Sequence, residues 1–492
     1  MSKMINFIWT DWKIGFVLVI LIAGGAGLIS AWLTPRGPIT SSEALVSMIA
    51  ALFIGVLAGF SMGNRWSLLI APVVFFVAFE LGRMGVDGAT IDTIYLDSLY
   101  GILAFVLGRV IPGAFVLLPM ILGITFGVEI AARFGADSAT SLGVGSWIFT
   151  GLLALGLIVL GIFISRPGRT SPVIGPDGES LPGSIAEIIS IPIGNQEQTI
   201  MVRGRDVDNP VMLYLAGGPG GTDLGVMRAD VGLEQDFMVV TWEQRGVGKS
   251  YSALDPIETL TLDQMVADTV ELTGYLQKRF DEEKIYLVGN SWGTILGALA
   301  VQDHPELYHA FIGTGQMVSP RDTDIMFYED TLAWAKETGN DELVNELEKN
   351  GLPPYENLLD YEPANSHEHE WNPYPELDMS KEMPAILFVP ENSLMDKING
   401  FRSFFDTFSI LYPQIQELDF RSDITKFDIP YYMVIGAHEA RGRAVLANEW
   451  FQMLDAPIKE RVVFEHSGHR PLFEQPGTFT ALMADILEET YP

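Results

Sequence analysis

The chain of 492 residues has no cysteine. That excludes disulfides and thiolate metal sites, and it fits any redox compartment. Cationic side chains are also scarce: 30 Lys and Arg stand against 62 Asp and Glu, a formal net charge of −32. So acidic a protein repels polyanions, which argues against nucleic acid as a partner and against docking on anionic lipid. Histidine is rare, with seven in the chain, so any chemistry that needs an imidazole has few positions to draw on.

The acidity is confined to one part. Residues 1–170 hold nine Lys/Arg and eight Asp/Glu, whereas the remainder holds 21 and 54. Where charge is missing, apolar runs stand instead, at 14–33, 44–62, 66–81, 94–107, 113–132 and 144–164. Several reach the ~20 residues that cross a hydrocarbon core as helix. The expectation is a transmembrane helical domain over 1–169 with six spans, or five, because 94–107 is short and carries Asp97. Gly24, Gly25 and Gly27, and the Gly55–Gly59 pair at four-residue spacing, suit close helix packing in lipid. A cleaved signal peptide does not fit, since the first apolar run is too long and others follow it. Six spans put Lys3, Lys13, Arg65, Arg109, Arg166 and Arg169 on one face and Arg36, Arg83 and Arg133 on the other. The positive-inside rule then places both termini in the cytoplasm of a multi-pass cell-membrane protein, whereas five spans would put the acidic part outside. A Pro/Gly-rich linker over 170–184 leads to a second domain, 185–492, which opens with strands at 185–193 and 199–203.

Within that domain, Gly289-Asn290-Ser291-Trp292-Gly293 follows the apolar run 285–288 and precedes an Ala/Leu-rich segment, 294–301. The pattern is a buried strand, a sharp turn with serine at its apex, and a helix. Small residues two before and two after the serine let the backbone fold back without a clash. A serine nucleophile needs a base and an orienting carboxylate, which in this architecture follow in the order acid, then histidine. His469 sits on a loop after the β-run 461–465 and is the candidate base, with His466 at the strand's end read as structural. The candidate acid is Glu439, three residues past the apolar run that ends at Gly436. Asp455 competes for that role from a less favourable place, on or just past a helix. The glycine-rich 216–221 directly after the strand 211–215 suits an oxyanion hole, with the N–H groups of Gly218 and Trp292 as donors.

Four motifs occur in one order: Ala216-Gly217-Gly218-Pro219-Gly220, Trp242-Glu243-Gln244-Arg245-Gly246-Val247-Gly248-Lys249-Ser250, the serine turn, and Gly315-Gln316. As a set they resemble the proline iminopeptidase-type α/β-hydrolases over roughly 185–490. The resemblance implies an α/β-hydrolase fold with a mostly parallel, doubly wound sheet, and serine hydrolysis of amide or ester bonds, often removal of an N-terminal residue. Two departures stand out: Ala216 replaces the family's usual histidine, and Glu439 stands where Asp is usual. The expected enzyme is a membrane-anchored serine aminopeptidase with a Ser291–Glu439–His469 triad, no cofactor and no metal, acting on a small peptide or acyl substrate. An esterase or lipase, or a non-catalytic membrane sensor or transporter, is the alternative.

The stretch 246–250 is not a nucleotide loop, because Glu243 stands where a Walker A sequence needs glycine. Glu243 and Arg245 are expected to form a structural ion pair beside the site. Residues 319–428, helical and acidic at first and aromatic later, read as an inserted cap over the serine. Within it His367-Glu368-His369-Glu370 lacks metal-ligand spacing and reads as a solvated loop. Glu329, Asp330, Glu362 and Glu391 of the cap are candidate partners for a substrate ammonium group, undistinguished by sequence.

Overall fold

The computed structural model describes residues 9, 11–34, 36–86, 88, 91–92, 94–134, 136, 143–229, 231–375, 384–386 and 388–491, so Lys3 lies outside the described residues. The chain forms two compact units. The first comprises 1–94 and 102–167 with 393–395, and the second 95–101, 168–392 and 396–492.

The first unit is a helical bundle: α1 (Trp12–Leu33), α2 (Ser41–Met62), α3 (Ser67–Arg83), α4 (Leu99–Arg133) and α5 (Val144–Ser165). All but α3 are long and apolar enough to cross a membrane. Its contacts rest on small residues. A Cβ added at Gly55 or Gly59 of α2 would overlap the carbonyl oxygens of Met120 and Ile124 on α4. Reciprocally, one at Gly123 or Gly127 of α4 would overlap those of Leu52 and Val56. Gly27 of α1 meets the Phe75 carbonyl of α3 in the same way. Backbones this close gain dispersion where lipid offers no hydrophobic drive between helices. The outer faces keep Val46, Phe53, Leu57, Ile148, Leu152 and Leu155 exposed, an apolar exterior suited to acyl chains.

The expectation of six spans, or five, meets five long helices, four of them long and apolar enough to cross a membrane. The runs 94–107 and 113–132 are not two spans but one continuous helix, α4. A π-turn at Val106–Val110 carries the chain through Gly108 and up to Pro112, with the Ile111 N–H bonded to the Val106 carbonyl. Proline has no N–H to give, and the wider turn absorbs the mismatch. At 17 residues, α3 is at the lower limit for a span. Were all five to cross in alternation, Lys13 and Arg166 would lie on opposite sides of the membrane, which is the five-span alternative with the acidic part outside. Single cysteines at Lys13→Cys and Arg166→Cys, introduced into a chain that has none, are expected to label from opposite sides of sealed vesicles with an impermeant maleimide. Labelling of both from one side would mean that α3 does not cross.

The second unit is built on one eight-stranded sheet: β1 (Ile185–Ile193), β2 (Gln196–Gly204), β3 (Val211–Leu215), β4 (Met238–Glu243), β5 (Ile285–Asn290), β6 (Tyr308–Thr314), β7 (Tyr431–Gly436) and β8 (Lys459–Phe464). Their order is β1-β2-β4-β3-β5-β6-β7-β8. β1, β2 and β4 pair antiparallel, and the remaining pairs are parallel. β2 starts three residues earlier than the sequence suggested. The parallel strands are buried on both faces and so read as unbroken apolar runs. Alternate residues Tyr286, Val288, Ile312, Tyr432 and Val434 share a core with Phe479, Met483 and Ile486 of the C-terminal helix Pro476–Thr490. The cap interrupts the fold after β6. It opens with helices Pro320–Thr338 and Asp341–Asn350 and later contains Leu394–Leu411, which is rich in phenylalanine.

Candidate active site

Loops leaving the C-terminal ends of β3, β5, β6, β7 and β8 supply the candidate residues. Ser291 follows β5 with φ 52° and ψ −118°, a conformation that L side chains rarely adopt and that costs of order 1–3 kcal/mol. The neighbours explain why it persists. A Cβ at Gly289 would press on the Gly293 carbonyl, and one at Gly293 would overlap the Leu215 carbonyl of β3. Both positions therefore need glycine, and the helix Trp292–Asp303 can begin directly against the sheet. The Ser291 N–H bonds the Thr314 carbonyl at 3.0 Å, tying the apex to the end of β6.

The next residue, Gly315, has φ 59°, and a Cβ there would lie 3.0 Å from two atoms of the His469 ring. His469 Nδ1 stands 2.8 Å from Glu439 Oε2. Burial alone would raise the Glu439 carboxyl. The charges of Arg443 and His469 and their hydrogen bonds overcome that and hold it down at about 2. An ionised carboxylate can only accept, so Nδ1 carries a proton, and in the neutral imidazole Nε2 is then the ring's acceptor. Among the sequence candidates, Ser291, His469 and Glu439 are thus gathered at neighbouring strand ends. Asp455 is exposed, in an isolated bridge to Lys426. His466 is exposed, its backbone N–H bonded to Gln475.

The glycine loop lies against the serine: a Cβ at Gly217 would stand 3.4 Å from Ser291 Cβ. Gly218 has φ 130°, a conformation for which only glycine is suited. Trp292 is the first residue of its helix, where an N–H has no intrahelical acceptor.

The expected Glu243–Arg245 ion pair does not form. Arg245 pairs with Asp268, both fully buried, at 2.8 Å. Glu243 instead accepts from the Thr222 hydroxyl at 2.6 Å and the Lys249 N–H at 3.0 Å. Burial raises its carboxyl against these bonds. Arg245 lies in the turn past the end of β4 rather than on the strand, where Asp268 of the helix Leu262–Phe280 meets it. Both still fix the loop after β4.

Sequence reasoning missed three further groups. Gln244 bridges the glycine loop and the serine helix, donating to the Ala216 carbonyl at 3.2 Å and accepting from the Trp292 indole at 3.0 Å. Asp223 accepts from Tyr214 at 2.7 Å and from Arg470, next to His469, at 2.6 Å. Arg443 donates to Glu439 Oε1 at 2.7 Å. The Glu-Gln-Arg motif was a signal for Gln244; the others carried none.

The cap reaches this edge. The Gly246 carbonyl accepts from Thr407 at 2.8 Å, the Gly248 N–H donates to Ser403 at 3.2 Å, and Gly220 lies against Phe404. Of its four carboxylate candidates, Glu329 and Asp330 both pair with Arg441. Glu362 accepts the Leu99 and Tyr100 N–H groups, each at 2.8 Å. Glu391 is fully buried with Oε1 on Arg228 at 3.0 Å, and its Oε2 has no partner among the described residues.

A model of the α/β-hydrolase fold family matches residues 210–476, more than half of the chain, and the protein belongs to that family. The chain is 28% identical over 312 residues to the "probable aminopeptidase YbaC" of Bacillus subtilis (strain 168), covering 60% of this chain and 94% of that one. It is 23% identical over 287 residues to a proline iminopeptidase of Heyndrickxia coagulans, covering 56% and 90%. Among solved structures, a proline iminopeptidase-related protein from Thermus thermophilus aligns with a TM-score of 0.46 at 21% identity, over 63% of this chain and 99% of that one.

Glu439→Gln is expected to lower kcat by on the order of 10²–10⁴-fold, because the amide can donate and leaves the imidazole in the wrong tautomer. Asp455→Asn should leave kcat within about twofold of wild type. Steady-state kinetics on the two variants decides between the acids, and the reverse ranking would remove Glu439 from the site.

Proposed function

We propose that the protein is a serine hydrolase anchored in the cell membrane, an aminopeptidase of proline iminopeptidase type. The observation that carries this reading is the hydrogen bond of Glu439 to His469 at 2.8 Å, one strand-end away from a serine held at positive φ. Ser291 Oγ attacks the acyl carbon while His469 Nε2 takes its proton. The imidazolium, steadied by Glu439, returns the proton to the leaving amine, and water then repeats the cycle on the acyl-enzyme. The Gly218 and Trp292 N–H groups receive the developing oxyanion. Glu439 stays ionised down to about pH 2, so it remains a hydrogen-bond acceptor for His469 at any higher pH. The names of the relatives, an aminopeptidase and a proline iminopeptidase, support the peptide substrate.

An aminopeptidase must also hold a substrate ammonium group, and a desolvated cation needs a carboxylate. Glu391, with an oxygen to spare, is the cap candidate best suited to it. Glu329, Asp330 and Glu362 are already engaged.

Ser291→Ala is expected to lose at least about 10⁴-fold in kcat and all labelling by a fluorophosphonate probe, with the fold unchanged by circular dichroism. Equal labelling of wild type and variant would end the hydrolase reading.

Acetylating the amine of an aminoacyl amide should remove activity on the solubilised full-length protein. Glu391→Gln should raise KM for the free amine by about tenfold or more. Equal kcat/KM for free and acetylated substrates would instead point to an esterase for neutral acyl groups.

A further inference from the structure

We infer that Arg443 is a positioning residue for the acid of the triad, and that Glu368 of the cap sets how strongly it acts. The inference rests on the reading of Ser291, Glu439 and His469 given above. Arg443 lies in the helix Arg441–Met453, one turn beyond Glu439, and is buried. Its guanidinium donates Nε to Glu439 Oε1 at 2.7 Å and Nη2 to Glu368 Oε1. It also lies over the Phe327 ring, 4.7 Å from the centroid. Glu439 therefore serves an imidazole and a guanidinium with two different oxygens: Oε2 faces His469, while Oε1 takes Arg443 and the Ala440 N–H at 3.0 Å. Glutamate is suited to this division, being one methylene longer than the aspartate usual in the family.

The same stretch of cap touches both triad loops. Asn372 donates to the His438 carbonyl at 2.9 Å, next to Glu439 in sequence. The Tyr374 ring stacks on His438 at 5.3 Å and 11°, and its hydroxyl donates to Glu474 at 2.8 Å. Glu474 in turn accepts the Gly468 N–H at 2.6 Å, next to His469. Segment 368–374 thus braces the acid loop, the histidine loop and Arg443 together.

Charge gives the arrangement a distinctive signature. Arg443 offsets part of the Glu439 charge felt by the imidazole, and Glu368 offsets part of Arg443. The other ionisable groups around them are Asp324 of the cap, which burial raises to about 7, His438, Glu474, and Arg470 paired with Asp223. All are present in every variant compared; Arg443 also lowers Asp324, and Glu368→Gln, which keeps Arg443 beside it, separates the imidazole from that shift. Removing Arg443 leaves Glu439 uncompensated, favours the imidazolium and moves the acidic limb of kcat/KM to higher pH. Removing the Glu368 charge strengthens Arg443 and moves the limb the other way.

The test is the pH dependence of kcat/KM for the full-length protein carrying Arg443→Met, Arg443→Lys or Glu368→Gln, with fluorophosphonate labelling of each. Arg443→Met is expected to raise the limb by about 0.5–1 pH unit and lower kcat, and Glu368→Gln to lower the limb by a few tenths of a unit. Arg443→Lys should stay near the wild-type limb. A bracing role without charge coupling would lower kcat in all three and leave the limb in place, which overturns the inference. Should Arg443→Met not fold, the downward shift in Glu368→Gln still decides it. Wild-type protein that the probe does not label would fail the triad reading instead, so the two failures are told apart.

Discussion

A helix must start at Trp292 with no room to spare, because its second residue abuts the backbone of β3. This close approach governs the layout of the site. It requires glycine at 293, it requires glycine at 289 for the turn that leads in, and it forces Ser291 into positive φ at the apex. Trp292, directly after it, is the first residue of the helix, where its N–H has no intrahelical acceptor. Neither the proposed nucleophile nor the proposed oxyanion donor is placed by a flexible side chain. Both are placed by main chain wedged between two parallel strands.

Around that wedge, buried charge is handled by sharing. Asp268 takes Arg245, and it also accepts from Gln198 and Gln264 at 2.8 and 2.7 Å. Glu243 is held by a hydroxyl and an amide, Glu439 by imidazole and guanidinium. Each lies close to a loop that carries a site residue. A buried carboxylate left with one partner would be costly, whereas one with its lone pairs filled rigidifies what it touches. The acidity of the domain is therefore of two kinds: a solvated excess at the surface, and a few inner carboxylates, each with a positioning task.

The features that sequence revealed were those demanded by backbone geometry. Glycines at 289 and 293 are a steric requirement written in residue type, and apolar runs mark the strands whose ends place Glu439 and His469. What stayed hidden depended on partners remote in sequence. Arg443 looks like any surface arginine of an amphipathic helix until Glu368, far up the chain, folds against it. Arg245 could be assigned to Glu243 by adjacency alone, because nothing in the local pattern points to Asp268. In the bundle, the Gly55–Gly59 spacing was readable because it is local to one helix. Its counterpart, Gly123 and Gly127 on α4, lies in a helix that starts well before the apolar run containing them.

That early start is made possible by the π-turn at Val106–Val110. One residue added to a helical turn rotates everything beyond it by about 100°. The two halves of α4 therefore follow one axis but are out of phase, like a screw thread cut in two starts. Gly108 faces Asp92 and Ile91, while Gly123 and Gly127 face α2. A single stripe could not have met both surfaces, and deleting one residue within the turn would bring the threads into phase and turn one of these glycine faces out toward lipid.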